Sequence, residues 1–467
     1  MSYKKLGTTL SSAALLAAVF FSSPMQAQTD SLTTVQAVNP ASAEVVSLNE
    51  AVRYALQHKA EARKARLDIQ NAEYKITEAR SNALPQIAVN GSLTYNAILQ
   101  KSALPGDFIG APGTVVLVPF GQKWGSNVAA GLNQQLFNQQ VFIGLKAAKS
   151  TREFYQINAE LTNEQLIERV ASAYYQVFVQ QQQLETIDAS LANTRKIKNV
   201  IQSLFDNGLA KKIDLDRMNV NLTNLETSKQ QLINAVQLQQ NALKFYMGMP
   251  IETPIRLVRE DFEPREILAD RTLDTAQLTE IRLLNKRKEL LTYNKKAEEA
   301  AYYPSLSLTA NYGFIGTGSK FPIFTTKEQG TYWSDFSAIG LNLNIPVFSG
   351  FRIKSRVQQA QIELDKLDED IRDANLSLNL QYQNARTQIE NNLIAIENQQ
   401  QNVQLAENVL NDTRSNYQYG LASLTDLLDA ETALINARNN YSNSVLQLKL
   451  AEVQLWKANG TIESKFK

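Results

Sequence analysis

YQYGLASLTDLLDAETAL, residues 417–434, occurs a second time in a looser form as FDNGLAKKIDLDRMNVNL, residues 205–222. The two segments align without a gap at an offset of 212 residues, so that Gly208 falls on Gly420 and the leucine and alanine that follow also match. Glycine is the residue that best tolerates the left-handed conformation after a helix C-terminus. The repeat therefore predicts two helical hairpins, with tips near Gly208 and Gly420.

The two halves of the chain follow one plan. A second pair of similar segments lies upstream at an offset of 219 residues. Each half therefore has the same predicted order, which is short helix, strand, loop, strand, very long helix, tight turn and short helix. We assign the first structural repeat to residues 48–250 and the second to residues 273–460. An equatorial linker at 251–272 joins them, and residues 461–467 form a C-terminal tail.

The long helix of the second repeat is expected at about residues 351–417. Its apolar residues recur at intervals of three, four and seven, which is coiled-coil periodicity. These residues are Ala360, Leu364, Leu367, Ile371, Ala374, Leu378, Ala385, Ile389, Ile396, Val403, Leu410 and Tyr417. At a rise of about 1.5 Å per residue, such a helix is about 100 Å long. The flanking helices, at about 48–82 and 212–247, have about half that length and should run antiparallel beside a long helix.

Four strands are predicted where side chains alternate between apolar and polar, at about 85–97, 127–137, 304–315 and 336–348. The polar positions are rich in Ser, Thr and Asn, which is the pattern of a membrane barrel with lipid outside and water inside. A half-buried sheet in a soluble sandwich alternates in the same way and is the alternative. Four strands cannot close a barrel and an open sheet edge cannot lie in lipid, so a membrane-spanning form must oligomerise.

The N-terminus predicts export. Residues 1–27 have a basic start, an apolar run and small residues near the end, which is typical of a cleaved signal peptide. Residues 28–47 are interpreted as an N-terminal extension. No later segment offers the ~20 consecutive apolar residues of a transmembrane helix. The net charge of +1 argues against nucleic acid as the main partner.

The composition also argues against catalysis. The chain has no cysteine and a single histidine, His58. A lone histidine on a helix lacks the orienting partner and the cleft that a general base needs. No nucleophile elbow, phosphate-binding loop or zinc-protease motif is present. We therefore expect no enzymatic activity, no cofactor and no metal site.

The combined pattern resembles the TolC-type outer-membrane efflux proteins across essentially the whole mature chain. The resemblance rests on the duplicated order of elements and on the segments NGLAKKIDLDRMN, YGLASLTDLLDAE, LPQIAV, YPSLSL and GLNLNIPVFSG. It implies a mainly α fold with a β-barrel portion, in which four strands from each chain of a homotrimer form one twelve-stranded outer-membrane barrel. It also implies that the long antiparallel coiled-coil helices form a tapering α-barrel that extends into the periplasm.

The resemblance implies a transport function as well. The chain would be the exit duct of a tripartite efflux or type I secretion system. Its partners would be a periplasmic adaptor (membrane fusion) protein, an inner-membrane pump of RND or ABC type, and outer-membrane lipid. The alternative is an exported structural or adhesive coiled-coil rod without channel activity. That alternative explains the heptads but not the matched hairpins.

The same resemblance places functional residues at the hairpin tips. Asp426 and Asp429 match the acidic residues that line the constricted periplasmic entrance in the family, where a ring of carboxylates attracts cations. Helix initiation is an alternative role for Asp426, because Ser423 lies three residues earlier, at the spacing of a capping box. A shared capping role does not explain Asp429, which aligns with Arg217 of the first repeat.

The tips also carry the candidate residues for adaptor docking, which are Gly208, Leu209, Gly420 and Leu421. Packing inside the hairpin is the alternative role of the two leucines. Some family members carry an arginine that helps to hold the entrance closed, and this chain has Ala422 at that position. Further candidates for contacts at the tips are Lys211, Lys212, Asp214 and Tyr417.

Overall fold

The fold is mostly helical, with one four-stranded sheet. A computed structural model describes residues 44–110, 112–258, 273–322 and 327–466. The predicted signal peptide, most of the N-terminal extension and much of the equatorial linker lie outside these residues. The described elements before the linker are β1 Glu44–Val46, α1 Leu48–His58, α2 Ala60–Ser81, β2 Gln86–Tyr95, β3 Lys101–Pro105, β4 Val115–Pro119, β5 Trp124–Phe137, α3 Gln139–Asp206, α4 Lys212–Met247 and β6 Ile255–Leu257.

The second half repeats the helices and the strand pair in the same order. Its elements are α5 Thr279–Glu299, β7 Ser305–Gly318, β8 Thr331–Asn344, α6 Arg352–Gln418, α7 Leu424–Ala458 and a short terminal α8 Ile462–Lys465. The terminal helix falls in the segment that we expected to be a tail.

Two helices have the length of a rod. α3 has 68 residues and α6 has 67 residues, which corresponds to about 100 Å each at ~1.5 Å per residue. The helices α4 and α7 return from the hairpin tips and pack along the tip-proximal halves of α3 and α6. The helices α2 and α5 pack along the other halves of these two long helices. Most of the heptad residues of α6 are buried, including Leu364, Leu378 and Ile396. The predicted coiled-coil packing is therefore present within one chain.

The predicted helix at 48–82 is instead two helices, with a break at Lys59. This residue has an extended backbone, with φ −63° and ψ 133°. Its ammonium group is buried, donates a hydrogen bond of 2.6 Å to the carbonyl oxygen of Phe245 and lies 3.5 Å from the centre of the Phe245 ring. Burial lowers the pKa of Lys59. The break lets this cation satisfy a carbonyl at the C-terminus of α4.

The main sheet is antiparallel, with the strand order β2-β5-β7-β8. Residues that pair across the four strands form rows, and neighbouring rows lie on opposite faces of the sheet. Ile87, Leu132, Ala310 and Ile339 form an apolar row, whereas the neighbouring row is mainly polar, with Gln86, Asn133, Thr309 and Gly340. One face of the sheet is therefore mainly apolar, as the alternation predicted.

Two smaller sheets were not predicted. β1 pairs in parallel with β6, which brings the N-terminal extension against the equatorial linker. β3 and β4 form an antiparallel hairpin inside the segment at 97–127 that we expected to be a loop. Both pairs have strands of only three to five residues, too short for a clear period-two pattern.

Candidate functional site at the hairpin tips

The two hairpin tips lie side by side in one chain. The ends of α3 and α6 and the starts of α4 and α7 share one apolar cluster, which includes Ile201, Met218, Leu410 and Leu427. Nearby, Arg217 donates a hydrogen bond of 2.8 Å from Nη1 to the hydroxyl of Thr425. Arg217, which aligns with Asp429 in the repeat, therefore links the first tip to the second.

Both turns have the same backbone structure. Gly208 has φ 73° and Gly420 has φ 75°, and each N–H donates to the carbonyl three residues earlier. The following amides donate to carbonyls five residues earlier, over 2.7 Å for Leu209 and 2.8 Å for Leu421. This is the Schellman motif, which ends a helix with a left-handed residue.

The leucines after the glycines are exposed. Leu209 has 76% of its surface accessible and Leu421 has 77%. They therefore do not pack inside the hairpin of the single chain. Exposed apolar residues at a tip are suited to contact with another protein, so adaptor docking stays the prediction for both.

Asp426 and Asp429 have different surroundings. Asp426 forms the capping box at the start of α7, where it accepts hydrogen bonds of 2.8 Å from both the backbone N–H and the hydroxyl of Ser423. These bonds lower the pKa of Asp426. Asp429 is exposed one turn later and has no hydrogen bond or ion pair with the described residues. The capping role of Asp426 is therefore present in the structure, whereas a pore role stays a prediction for both residues.

The first tip has no matching capping box. The N-cap of α4 is Lys211, which makes no side-chain capping bond. Asp214 instead lies near Tyr417 of the second hairpin, and burial together with the negative charge of Asp214 raises the pKa of the Tyr417 phenol. The structure thus brings two of the predicted tip residues together. Lys211 and Lys212 are both exposed and form no ion pair within the described part of the chain.

A polar network about two turns into α7 was not predicted. Asn193 of α3 donates a hydrogen bond of 2.9 Å to Oε1 of Glu431 on α7 and accepts one from Arg414 of α6. Arg438 of α7 donates a hydrogen bond of 2.7 Å to Glu407 of α6. These residues occupy ordinary polar positions of long helices, so no signal in the sequence distinguishes them.

The described ranges of the chain contain no group of three or more His, Asp or Glu side chains that could hold a metal ion. Within the same ranges, no helix combines the length and the hydrophobicity that crossing a membrane requires.

The model of the family described as "Outer membrane efflux protein" matches residues 51–249 and 269–461. The chain belongs to this family. The two matched ranges correspond to the two halves described above, and they include both hairpin tips.

Curated relatives and solved structures agree with this membership. Outer membrane protein TolC of Escherichia coli is 24% identical over 427 residues, which cover 87% of this chain and 80% of the relative. The alkaline protease secretion protein AprF of Pseudomonas aeruginosa is 23% identical, over 67% of this chain and 65% of the relative. The structure of outer membrane protein VceC from Vibrio cholerae has a TM-score of 0.68 at 20% identity, and the match covers 88% of this chain and 96% of that one.

The efflux-protein family membership confirms the predicted function class and location. The chain is an outer-membrane exit duct for efflux or type I secretion, and its helical part extends into the periplasm. The alternative function of an exported coiled-coil rod without channel activity is therefore rejected, as is the alternative of a soluble β-sandwich for the alternating strands. The similar proteins are outer-membrane channel proteins and not enzymes.

Proposed function

We propose that three copies of this chain form one duct, in which twelve strands close a β-barrel in the outer membrane and the long helices form a periplasmic tunnel. The observation that carries the proposal is a four-stranded sheet with two open edges. In the described part of the chain, β2 and β8 each pair on one side only. Because lipid offers no hydrogen-bond partners, an open edge at membrane depth must pair with another strand.

The exposed apolar face of the sheet supports its place in lipid. Ile87 on β2 is 71% exposed and Ile339 on β8 is 81% exposed, although both lie in regular strands. On the opposite face, Asn342 donates a hydrogen bond of 3.0 Å to Thr309. Apolar residues outside and polar residues inside are typical of a water-filled barrel.

An aromatic cluster supports the orientation of the sheet. Trp124 packs 4.7 Å from Tyr95 and 5.2 Å from Phe321, measured between ring centres, at the end of the sheet far from the long helices. Such residues mark the interface of a barrel with the membrane surface. The loops beyond this cluster would then face the exterior, and the hairpin tips would lie at the periplasmic end of the duct.

The assembly is tested by the mass and the activity of the purified mature protein. We expect a detergent-dependent particle that contains three chains and conducts ions in planar bilayers. The measurement is multi-angle light scattering with correction for bound detergent, followed by single-channel recording. A folded monomer that is soluble without detergent and does not conduct ions would contradict the proposal.

We further propose that the two structural repeats, 48–250 and 273–460, each supply one hairpin to the entrance, so that six tips surround it in the trimer. The tips would dock on a periplasmic adaptor protein, which connects the duct to an inner-membrane pump of RND or ABC type. The names of the relatives support both kinds of system, since they include a secretion protein and a probable efflux pump outer membrane protein. The exposed Leu209 and Leu421 are the residues proposed for this contact.

Asp429 is proposed to select for cations at the entrance. Replacing it with alanine removes three of the six carboxylates that Asp426 and Asp429 would contribute in a trimer. We expect the Asp429→Ala channel to have a K⁺/Cl⁻ permeability ratio lower by about twofold or more, because fixed charge in a narrow pore sets the local ion concentration. Block by divalent cations should weaken in parallel.

The matched control for this measurement is Asp429→Glu, which keeps the charge and should keep the selectivity. Reversal potentials in asymmetric KCl measure both variants. An Asp429→Ala channel with the selectivity and divalent block of the unmodified protein would remove Asp429 from the proposed ring.

A further inference from the structure

The segment that joins β8 to α6, residues 345–356, exposes apolar and basic side chains together. We call it the β8–α6 junction. Val347 is 92% exposed, and Phe348 and Phe351 are 78% and 67% exposed. The two phenyl rings meet edge to face, with their centres 5.7 Å apart. The junction therefore presents an apolar projection that is largely uncovered within the described part of the chain.

The backbone of the junction is strained at Phe351. This residue has φ 62°, and no other non-glycine residue in the described ranges has a positive φ. An L-residue seldom adopts this conformation, and such strain persists where the surrounding structure or a function requires it. Gly350, with φ 59°, precedes it. The two left-handed residues together turn the chain from strand to helix, and they leave the Phe351 ring on the surface.

The charged residues of the junction are all cations. Arg352, Lys354 and Arg356 are exposed at the start of α6, and residues 336–362 contain no carboxylate side chain. Arg356 lies 3.8 Å from a carboxylate oxygen of Glu298 on α5. Arg352 and Lys354 form no ion pair with the described residues. Two positive charges of the junction are thus left without a counter-charge in each chain.

The position of the junction in the fold places it at a membrane surface. It follows β8 at the end of the main sheet nearer the long helices. The apolar residues on one face of β8 are Ile339, Leu341 and Leu343, and the same alternation continues in the sequence with Ile345 and Val347. The cations come directly after this apolar column. If the column faces lipid, as the proposed function requires, the cations lie at the level of the periplasmic headgroups.

The adjoining segment of the next chain supplies no counter-charge. In the proposed barrel, the edge strand β8 pairs with β2 of the next copy. Residues 79–100 include β2 and the turn that leads into it, and their single charged residue is Arg80. This segment therefore adds a positive charge and no carboxylate. The headgroups of acidic lipids are the remaining source of negative charge at this depth.

We propose that the β8–α6 junction binds an anionic phospholipid of the periplasmic leaflet of the outer membrane. The guanidinium of Arg352 and the ammonium of Lys354 have only N–H donors, which match the phosphate oxygens of a headgroup. Phe348 and Phe351 lie beside the acyl chains at the interface, where aromatic residues are enriched. This inference rests on the proposed barrel, and it adds a ligand class that the barrel alone does not require.

Native mass spectrometry of the purified protein in a non-ionic detergent, with dioleoyl-phosphatidylglycerol added, tests this proposal. We expect saturable binding of one phosphatidylglycerol per chain. Dioleoyl-phosphatidylcholine, which has the same tails and no net charge, should bind about fivefold more weakly. The double substitution Arg352→Gln and Lys354→Gln should weaken phosphatidylglycerol binding about tenfold or more. Phe348→Ser should weaken it about threefold, because apolar contact with the acyl chains is lost.

The matched control is the double substitution Lys211→Gln and Lys212→Gln, which removes the same charge at the hairpin tip and should leave the lipid affinity unchanged. Inorganic phosphate at the same concentration should not displace the lipid, because it lacks acyl chains. If the Arg352 and Lys354 double variant does not fold by circular dichroism, Arg352→Gln alone and Phe348→Ser decide the matter.

Equal affinity for the two lipids, displacement by inorganic phosphate, or unchanged affinity in the junction variants would overturn the proposed lipid site. Absence of binding to an intact trimer would overturn it as well, and would indicate that the next chain covers the junction. The same spectra report the number of chains in the particle. A trimer without lipid selectivity contradicts the lipid site alone, whereas a monomer contradicts the proposed duct and the lipid site with it.

Discussion

Ile339→Arg is expected to abolish assembly of the protein in the outer membrane. Ile339 is the β8 member of the apolar row that crosses all four strands, and its side chain is almost fully exposed. An arginine on the lipid face of a barrel costs about 2–4 kcal/mol at the bilayer midplane. In a trimer the substitution occurs three times, so the total cost would be about 6–12 kcal/mol, which is comparable with the whole stability of a typical native protein. Membrane fractionation and the amount of heat-resistant trimer on gels measure the effect.

The control for this substitution is Asn311→Arg, on the opposite face of the adjacent strand β7. Asn311 shares the row of Gly131 and Ala338, which the proposed barrel turns toward water. Asn311→Arg should therefore assemble at close to the normal level. Normal insertion of Ile339→Arg, or equal loss of both variants, would mean that the apolar face of the sheet does not face lipid.

Gly420→Val should remove most of the efflux activity while leaving the barrel intact. The space around Gly420 is open, with no atom within 4 Å of the position that a Cβ would take, so steric contact is not the cause. The cause is the backbone, because at φ 75° a β-branched residue is strained by about 1–2 kcal/mol. Relief of this strain would change the turn between α6 and α7 and misplace Leu421. Complementation of a strain that lacks its own duct, with antibiotic susceptibility as the readout, measures the loss.

Gly420→Asn is the matched control, since asparagine adopts the left-handed conformation more readily than other non-glycine residues. It should retain more activity than Gly420→Val at equal expression. Gly208→Val should impair the first tip in the same way. Full complementation by a well-expressed Gly420→Val protein would show that the geometry of this turn does not matter for coupling to the adaptor.

The repeated elements could be predicted because their signals are local. Apolar residues at heptad spacing indicated α6 almost to the residue, and the duplicated glycine indicated both hairpin turns. Alternation of side chains indicated each strand of the main sheet, although β5, β7 and β8 extend further from the long helices than expected. The capping box of Ser423 and Asp426 was also visible, since its two partners are three residues apart.

Other features depend on residues that are far apart in the chain. The break at Lys59 is stabilised by a carbonyl of α4, 186 residues away, and no proline or glycine in α1 or α2 marks it. The polar network at the start of α7 has the same origin, because Asn193 meets Glu431 across 238 residues of sequence. Asp214 likewise faces Tyr417 of the other hairpin only after both hairpins have packed together.

The sequence by itself determined the repeat, the two rod-length helices, the glycine turns and the alternating strands, because each follows from the periodicity or the conformational freedom of neighbouring residues. Only the tertiary structure decided which polar side chains of the long helices meet and where the first helix breaks. Helical periodicity specifies the face on which a residue lies, but the partner on the opposite helix depends on how two rods of about 100 Å are aligned. That alignment is a property of the packed chain as a whole.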